Sequence, residues 1–261
     1  RSAQLTDIPL TSRLTLRRGA RCVEIETEFE NTARDHRLRA VFPSGLAGAG
    51  QSTAAIPFDV VERPIAAPDS RAWREGYYPT HPAGSFVDVC DGDAGLAVFT
   101  QGLKEYEVLD DPSRPVCITL LRAQRGSMSI HSPETRADLL RAGRYGLGRH
   151  VGRFAVAPHE GNWQAAELHR LYAEWRNAPE LVQFQPRGGP ALPAERRCLE
   201  VSAPELVLSA LKKAEDRDTL VVRVFNPTEN DLEADLRLGA ARVASAWLVR
   251  LDEQRVRKLA M

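Results

Sequence analysis

Between residues 23 and 30, apolar or small and acidic positions alternate without a break. Val23, Ile25, Thr27 and Phe29 share one parity; Glu24, Glu26, Glu28 and Glu30 share the other. A period of two sends successive side chains to opposite faces, so this segment predicts a half-buried strand with a row of carboxylates outside. Such a row repels itself unless cations answer it. After a loop at residues 31–34, His36, Leu38, Ala40 and Phe42 alternate with Arg37, Arg39 and Val41. Joined as a hairpin with Phe29 on the Leu38 side, the two strands would place Arg37 and Arg39 beside Glu26 and Glu28. Upstream, Leu14 and Leu16 alternate with Arg13, Thr15 and Arg17 before a turn at Gly19.

The pattern continues as short strands. Residues 44–57 are rich in Gly and Ala and predict a mobile loop. Residues 58–65 (FDVVERPI) predict a strand stopped by Pro64, and residues 66–84 a long loop carrying Trp73, Tyr77, Tyr78 and His81. Loops of that length in compact domains are more often functional than not. Apolar runs on either side of DGDAG (residues 91–95) predict a hairpin, and residues 102–111, 116–122 and 151–157 predict further strands. Residues 123–149 are polar and predict mainly loop. One helix stands out: Asn162 can cap it, and Leu168, Leu171, Tyr172 and Trp175 follow at helical spacing before Pro179. A Pro- and Gly-rich segment at residues 185–193 predicts a linker, followed by five short strands at residues 199–201, 207–211, 220–225, 232–238 and 246–251. Many strands, one helix and no βαβ alternation imply a mainly β, antiparallel sandwich architecture. The expected division is a large β domain at residues 1–195 and a small terminal β domain at 196–261.

Composition narrows the function by exclusion. The 261 residues carry 35 Lys+Arg against 35 Asp+Glu, so no basic surface is expected for nucleic acid or an anionic membrane. No run approaches the length of a bilayer span. The opening residues lack the apolar core of a signal peptide, and the chain is expected to be a piece of a longer polypeptide. Cys22, Cys90, Cys117 and Cys198 form no CxxC pair; each lies in or beside an apolar run, which predicts buried free thiols in a reducing, cytoplasmic compartment.

Little complete chemistry appears. The six histidines show no HxH, HxD or HExxH spacing, and no intrinsic metal site is expected. The Gly-rich segment lacks the Lys of a phosphate loop, and no GxSxG elbow is present. Asp91 with Asp93, Glu105 with Glu107, and Asp110 with Asp111 could form carboxylate pairs of the kind glycosidases use. Turns and solvated strand faces account for them more simply.

Several segments, in order, resemble the C-terminal β region of glycoside hydrolase family 38, the α-mannosidases. They are NTARDHRLRAVFP (31–43), FDVVERP (58–64), FVDVCDGD (86–93) with GLAV (95–98), GLKEYEV (102–108), TLLRA (119–123), PHEGNW (158–163), LSALKKAED (208–216) and VRVFNP (222–227). The resemblance implies a galactose-mutarotase-like β-supersandwich with one amphipathic helix, followed by a small and incomplete terminal β-sandwich. It implies a retaining, zinc-dependent α-mannosidase whose catalytic domain, zinc ion, nucleophile and general acid lie upstream. No cofactor is then held in this chain. Its partners would be a mannoside substrate and its own N-terminal catalytic domain, with no nucleic acid and no membrane, and a homo-oligomer is compatible with that reading. An Arg of this region reaches the sugar in related enzymes, and motif order makes Arg63 its match, with Asp59, Glu62 and His81 as companions in substrate binding. A strand-edge ion pair is the alternative role for Arg63. Asp35, His36 and Arg37 are expected to be structural. Residues 124–150 depart from the family's pattern. A stand-alone carbohydrate-binding module, with Trp73 and Tyr78 as a sugar platform, is the competing function.

Overall fold

The computed structural model describes residues 5–123, 145–183, 185, 195–239 and 242–260. All but the first residue of the expected linker, and most of the polar 123–149 segment, lie outside the described residues. The chain forms two units, Arg1–Arg176 and Asn177–Met261.

The first unit is a sandwich of two antiparallel sheets. Its strands in chain order are β1 (Leu10–Thr15), β2 (Val23–Asn31), β3 (His36–Pro43), β4 (Gln51–Ile56), β5 (Asp59–Pro64), β6 (His81–Pro82), β7 (Phe86–Cys90), β8 (Ala94–Gln101), β9 (Glu105–Val108), β10 (Pro115–Ala123) and β11 (Gly148–Glu160). Seven pair in the order β1-β2-β11-β8-β7-β4-β5, and the other four in the order β3-β10-β9-β6.

Parity explains how the larger sheet is covered on both faces. Val87, Val89 and Val98 pack with Tyr106, Val116 and Ile118 of the smaller sheet. Phe86, Ala97, Phe99, Ala155 and Ala157 turn the other way, onto Leu168 and Leu171 of helix α1 (Leu168–Arg176). Burying a side chain such as Phe99 completely stabilises the fold by roughly 1.5–3 kcal/mol. The expected helix is therefore present. Asn162 Oδ1 accepts from the Ala165 amide at 2.9 Å, in the turn that leads into it.

Three expectations change. β2 and β3 are not a hairpin: β2 lies between β1 and β11, whereas β3 pairs with β10 in the other sheet. The link between them is a crossing of the sandwich. It is pinned by Asn31, which is 1% exposed, donates to the carbonyls of Tyr145 and Gly146 and accepts from the Ala33 amide. Asp35 then takes a positive φ of 56°. Second, the expected mobile loop at 44–57 contains β4, an interior strand. Its Ala54 and Ala55 are small because both faces are packed, which hides the usual β-branched signature. Third, only Cys22 and Cys117 are buried; Cys90 is half-buried and Cys198 exposed, all four being free.

The second unit contains β12 (Glu200–Val201), β13 (Val207–Lys213), β14 (Leu220–Phe225), β15 (Leu236–Arg237), β16 (Trp247–Val249) and β17 (Arg255–Lys258). They form three separate two-stranded antiparallel ribbons, β12-β15, β13-β14 and β16-β17. β17, with its exposed RVRK sequence, has no apolar alternation by which to expect it.

Candidate functional site

The carboxylates and arginines of the first unit sort into two groups. On the larger sheet, the β2 row is answered from both neighbours: Glu24 by Arg17, Glu26 by Arg13 and Arg153, and Glu28 by Arg149 through two bonds of 2.6 and 2.8 Å. The Arg149 bonds hold the Glu28 carboxyl below the usual carboxylate range. All of these pairs are solvent-exposed.

On the smaller sheet, Arg37 and Arg39 meet Glu107 at 3.2 and 2.6 Å, and Arg122 meets Glu105 at 2.8 Å. Thr119 Oγ1 donates to Glu105 at 2.7 Å and accepts from Arg37 Nε at 3.2 Å. Burial pushes Glu105 upward, but the Thr119 and Arg122 hydrogen bonds, with the charges of Arg122 and Arg37, outweigh it and lower it overall. The pair Glu105 and Glu107 is thus a half-buried ionic network rather than a solvated face. Asp91 closes the β7–β8 turn by accepting from the Asp93 and Ala94 amides, and Asp111 accepts from Ser113. Asp91, Glu105, Glu107, Asp110 and Asp111 are thus each engaged by a local partner.

The four residues expected at the sugar do not gather equally. Antiparallel register sets Arg63 opposite Ser52 on β4, and His81 opposite Tyr106 on β9. Tyr106 is fully buried and joins them. Its hydroxyl accepts from Arg63 Nη1 at 3.0 Å and lies 3.3 Å from Ser52 Oγ. The Arg63 guanidinium lies 5.9 Å from the centre of the Tyr106 ring, and the His81 ring lies 5.8 Å from it. Tyr77, from the long loop, reaches His81 Nε2 at 3.3 Å. Burial, and then the positive charge of Arg63, push His81 below its ordinary value, with Glu107 opposing. At neutral pH the imidazole is uncharged, able to donate through one nitrogen and accept through the other.

Asp59 and Glu62 stay outside this cluster. Asp59 is exposed at the β4–β5 turn, where Oδ1 accepts from the Val60 amide at 2.8 Å. Glu62 is adjacent to Arg63 in an extended strand, so alternation sends it to the opposite face. Tyr106 is the member that the sequence did not single out. Its signal was a tyrosine at an inward-facing strand position, where a phenylalanine would pack without needing a hydrogen-bond partner. The cluster can present guanidinium, imidazole and phenol donors to hydroxyl groups or to a carboxylate. Trp73 and Tyr78, on the same loop as Tyr77, are 53% and 70% exposed. Among the described residues, no group of three or more His, Cys, Asp or Glu side chains is placed to hold a metal ion, and no helix is long and apolar enough to cross a membrane.

Comparison with known proteins places this architecture. Residues 4–126 match the glycosyl hydrolases family 38 C-terminal domain, and residues 205–261 match the family 38 C-terminal beta sandwich domain. A putative mannosylglycerate hydrolase of Halalkalibacterium halodurans is 31% identical over 87% of this chain and 24% of its own length. Alpha-mannosidase 2C1 of Mus musculus is 28% identical over 94% of this chain and 22% of its own. The crystal structure of an alpha-mannosidase from Enterococcus faecalis superposes with a TM-score of 0.73 at 26% identity, covering 91% of this chain and 26% of that one. This chain therefore spans about a quarter of the length of the curated relatives it matches. With two family models matched in order across both units, the chain belongs to glycosyl hydrolase family 38, as its C-terminal domain and C-terminal β-sandwich.

Proposed function

We propose that this chain is the C-terminal β region of a retaining, zinc-dependent α-mannosidase and completes the active site of an upstream catalytic domain. The supporting observation is the ordered match of both C-terminal family 38 domains, together with relatives named as mannosylglycerate hydrolase and α-mannosidase. In the full-length enzyme one upstream carboxylate would attack the anomeric carbon while a second protonates the departing glycosidic oxygen and frees the aglycone. Water, deprotonated by that second carboxylate, would then hydrolyse the glycosyl-enzyme to release mannose with retained configuration. Among the described residues no ligand set fits zinc, and on this reading its ligands belong to the upstream domain. Arg63 binds the sugar with His81 beside it, while Asp59 and Glu62, on the same strand, lie outside that cluster. Four free cysteines fit a cytoplasmic setting.

The test has two arms. The 261-residue chain, purified alone with added zinc, is expected to give no hydrolysis of an aryl α-mannoside; zinc-dependent turnover by a pure sample overturns that assignment. In the full-length enzyme, Arg63→Ala is expected to impair kcat/KM by at least about tenfold, the scale of a lost charged hydrogen bond, while the melting temperature barely moves. Unchanged kinetics return Arg63 to the role of a strand-edge residue. The exposed Trp73 and Tyr78 favour one second reading, a stand-alone carbohydrate-binding module. A start codon immediately before the codon for Arg1 would favour the module; an in-frame His-x-Asp motif far upstream favours the enzyme.

A further inference from the structure

The half-buried arginines of the sandwich fall into two kinds. Arg37, Arg39, Arg114 and Arg122 each lie against a carboxylate. For Arg63, no carboxylate among the described residues lies within ion-pair distance, and its Nη1 donates to a phenol instead. Withdrawing a charge from water is costly unless something opposite or hydrogen-bonding meets it. A guanidinium carries five N–H donors in a rigid fork, so one bond to a tyrosine leaves most of them directed elsewhere.

The tyrosine is equally unusual from its own side. Tyr106 is fully buried, among Val87, Val89, Val98, Val116 and Ile118. A phenylalanine would fill that space with no hydroxyl to satisfy. Burying a hydroxyl is unfavourable without partners, and both of its partners, Arg63 and Ser52, lie at one corner of the sandwich. Ser52 is also the residue registered opposite Arg63 across β4 and β5, and its Oγ lies 3.4 Å from the Arg63 carbonyl. Tyr106 itself is clamped by pairing with Ile118 on one side and His81 on the other. Strands of both sheets thus fix the tip of a single arginine.

We propose that Tyr106 is a positioning residue for Arg63: its buried hydroxyl, braced by Ser52, aims the guanidinium so that the remaining donors meet the hydroxyl groups of a bound mannoside. This inference rests on the reading of Arg63 as a sugar-binding residue. Tyr106 does not itself touch the sugar. Its contribution is therefore carried entirely through Arg63, and a side chain that acts through another shows strong non-additivity with it.

The experiment is a double-mutant cycle in the full-length enzyme with an aryl α-mannoside. Tyr106→Phe, which removes the hydroxyl and keeps the ring, is expected to lower kcat/KM by about tenfold, the scale of one hydrogen bond to a charged group. In an Arg63→Ala background the same change is expected to cost less than about twofold. An equal loss in both backgrounds makes Tyr106 a structural or independent contributor and overturns the proposal. Full activity of Tyr106→Phe beside a crippled Arg63→Ala also overturns it, leaving the role of Arg63 intact. Full activity of Arg63→Ala removes the reading of Arg63 and the proposal with it. Should Tyr106→Phe fail to fold, Ser52→Ala strips the brace alone. It is expected to lower kcat/KM in the same direction and to lose that effect in the Arg63→Ala background; an unchanged kcat/KM there overturns the proposal.

Discussion

At the scale of single residues, charge is used in two ways that the sequence makes look alike. Glu28 and Glu107 both sit in acidic, alternating strands and both face arginines. Glu28 is 45% exposed, while Glu107 is 13% exposed and shared by Arg37 and Arg39. Removing the Glu107 charge leaves two half-buried guanidinium groups short of a partner, whereas water replaces Glu28 easily. Glu107→Gln is expected to cost about 2 kcal/mol in urea unfolding, and Glu28→Gln to leave the unfolding midpoint nearly unmoved. Equal effects of the two would remove the distinction. The need for counter-charges was legible in the sequence; which arginine met which glutamate was not. The Arg37–Glu107 contact joins residues 70 apart, and alternation states only which face a side chain takes. The same limit applies to the site. Arg63 and His81 could be named from their segments, but Tyr106 becomes visible only once strand register stacks β4, β5, β6 and β9.

At the scale of elements, the face of the larger sheet beneath α1 carries two histidines with opposite signs. His169 on α1 packs against Phe86 at 5.1 Å and Trp163 at 5.8 Å, and burial pushes it down to about 4. His159 on β11 meets Asp88 on β7 at 2.9 Å, both side chains almost fully buried. Burial lowers His159, but the hydrogen bond and charge of Asp88, helped by the backbone at Glu160 and Gly161, raise it overall. The ring lies so close over Gly95 that a Cβ there would stand 2.1 Å from it, which explains a glycine near the start of β8. Below 6.5 the unfolded chain binds a proton at His169 that the native state refuses, so stability rises with pH from about 4 to 6.5. His159 has its native value raised, so its contribution is complete below 6.5 and fades as pH climbs through the folded value. The difference in unfolding free energy between wild type and His169→Leu is expected to grow by about 3 kcal/mol across the acidic range. A difference that stays flat with pH would show that His169 does not titrate with the fold. The strands and helix on this face were readable from period, whereas the expected cap, Asn162, closes the turn at residues 162–165 and α1 begins only at Leu168. The central strand β4 was not, because an interior strand packed on both faces can be built of Ala, Ser and Thr and lose the alternation that identifies its neighbours.

At the scale of the molecule, the two units differ in how much core each holds. The first has two apolar layers, one on each face of its larger sheet. In the second, only Ala214 and Pro227 among the described residues are buried. Leu208, Leu211, Leu220, Leu248 and Val256 are each at least 40% exposed. Its ribbons carry local order: β13 and β14 pair over six registers, and the Arg255 guanidinium lies 4.6 Å from the Trp247 ring centre. Yet isolated two-stranded ribbons are marginal in water, and a short segment without a core cannot offset its conformational entropy. Residues 205–261 match a beta sandwich family model, and a sandwich needs a second layer on the apolar faces that these ribbons leave open. A fragment of residues 195–260 is therefore expected to melt without a cooperative transition by circular dichroism, while residues 1–176 alone melt in a single sigmoid. A sharp two-state transition from the smaller fragment would mean that its ribbons close a core of their own, and the apolar faces would then need a different explanation.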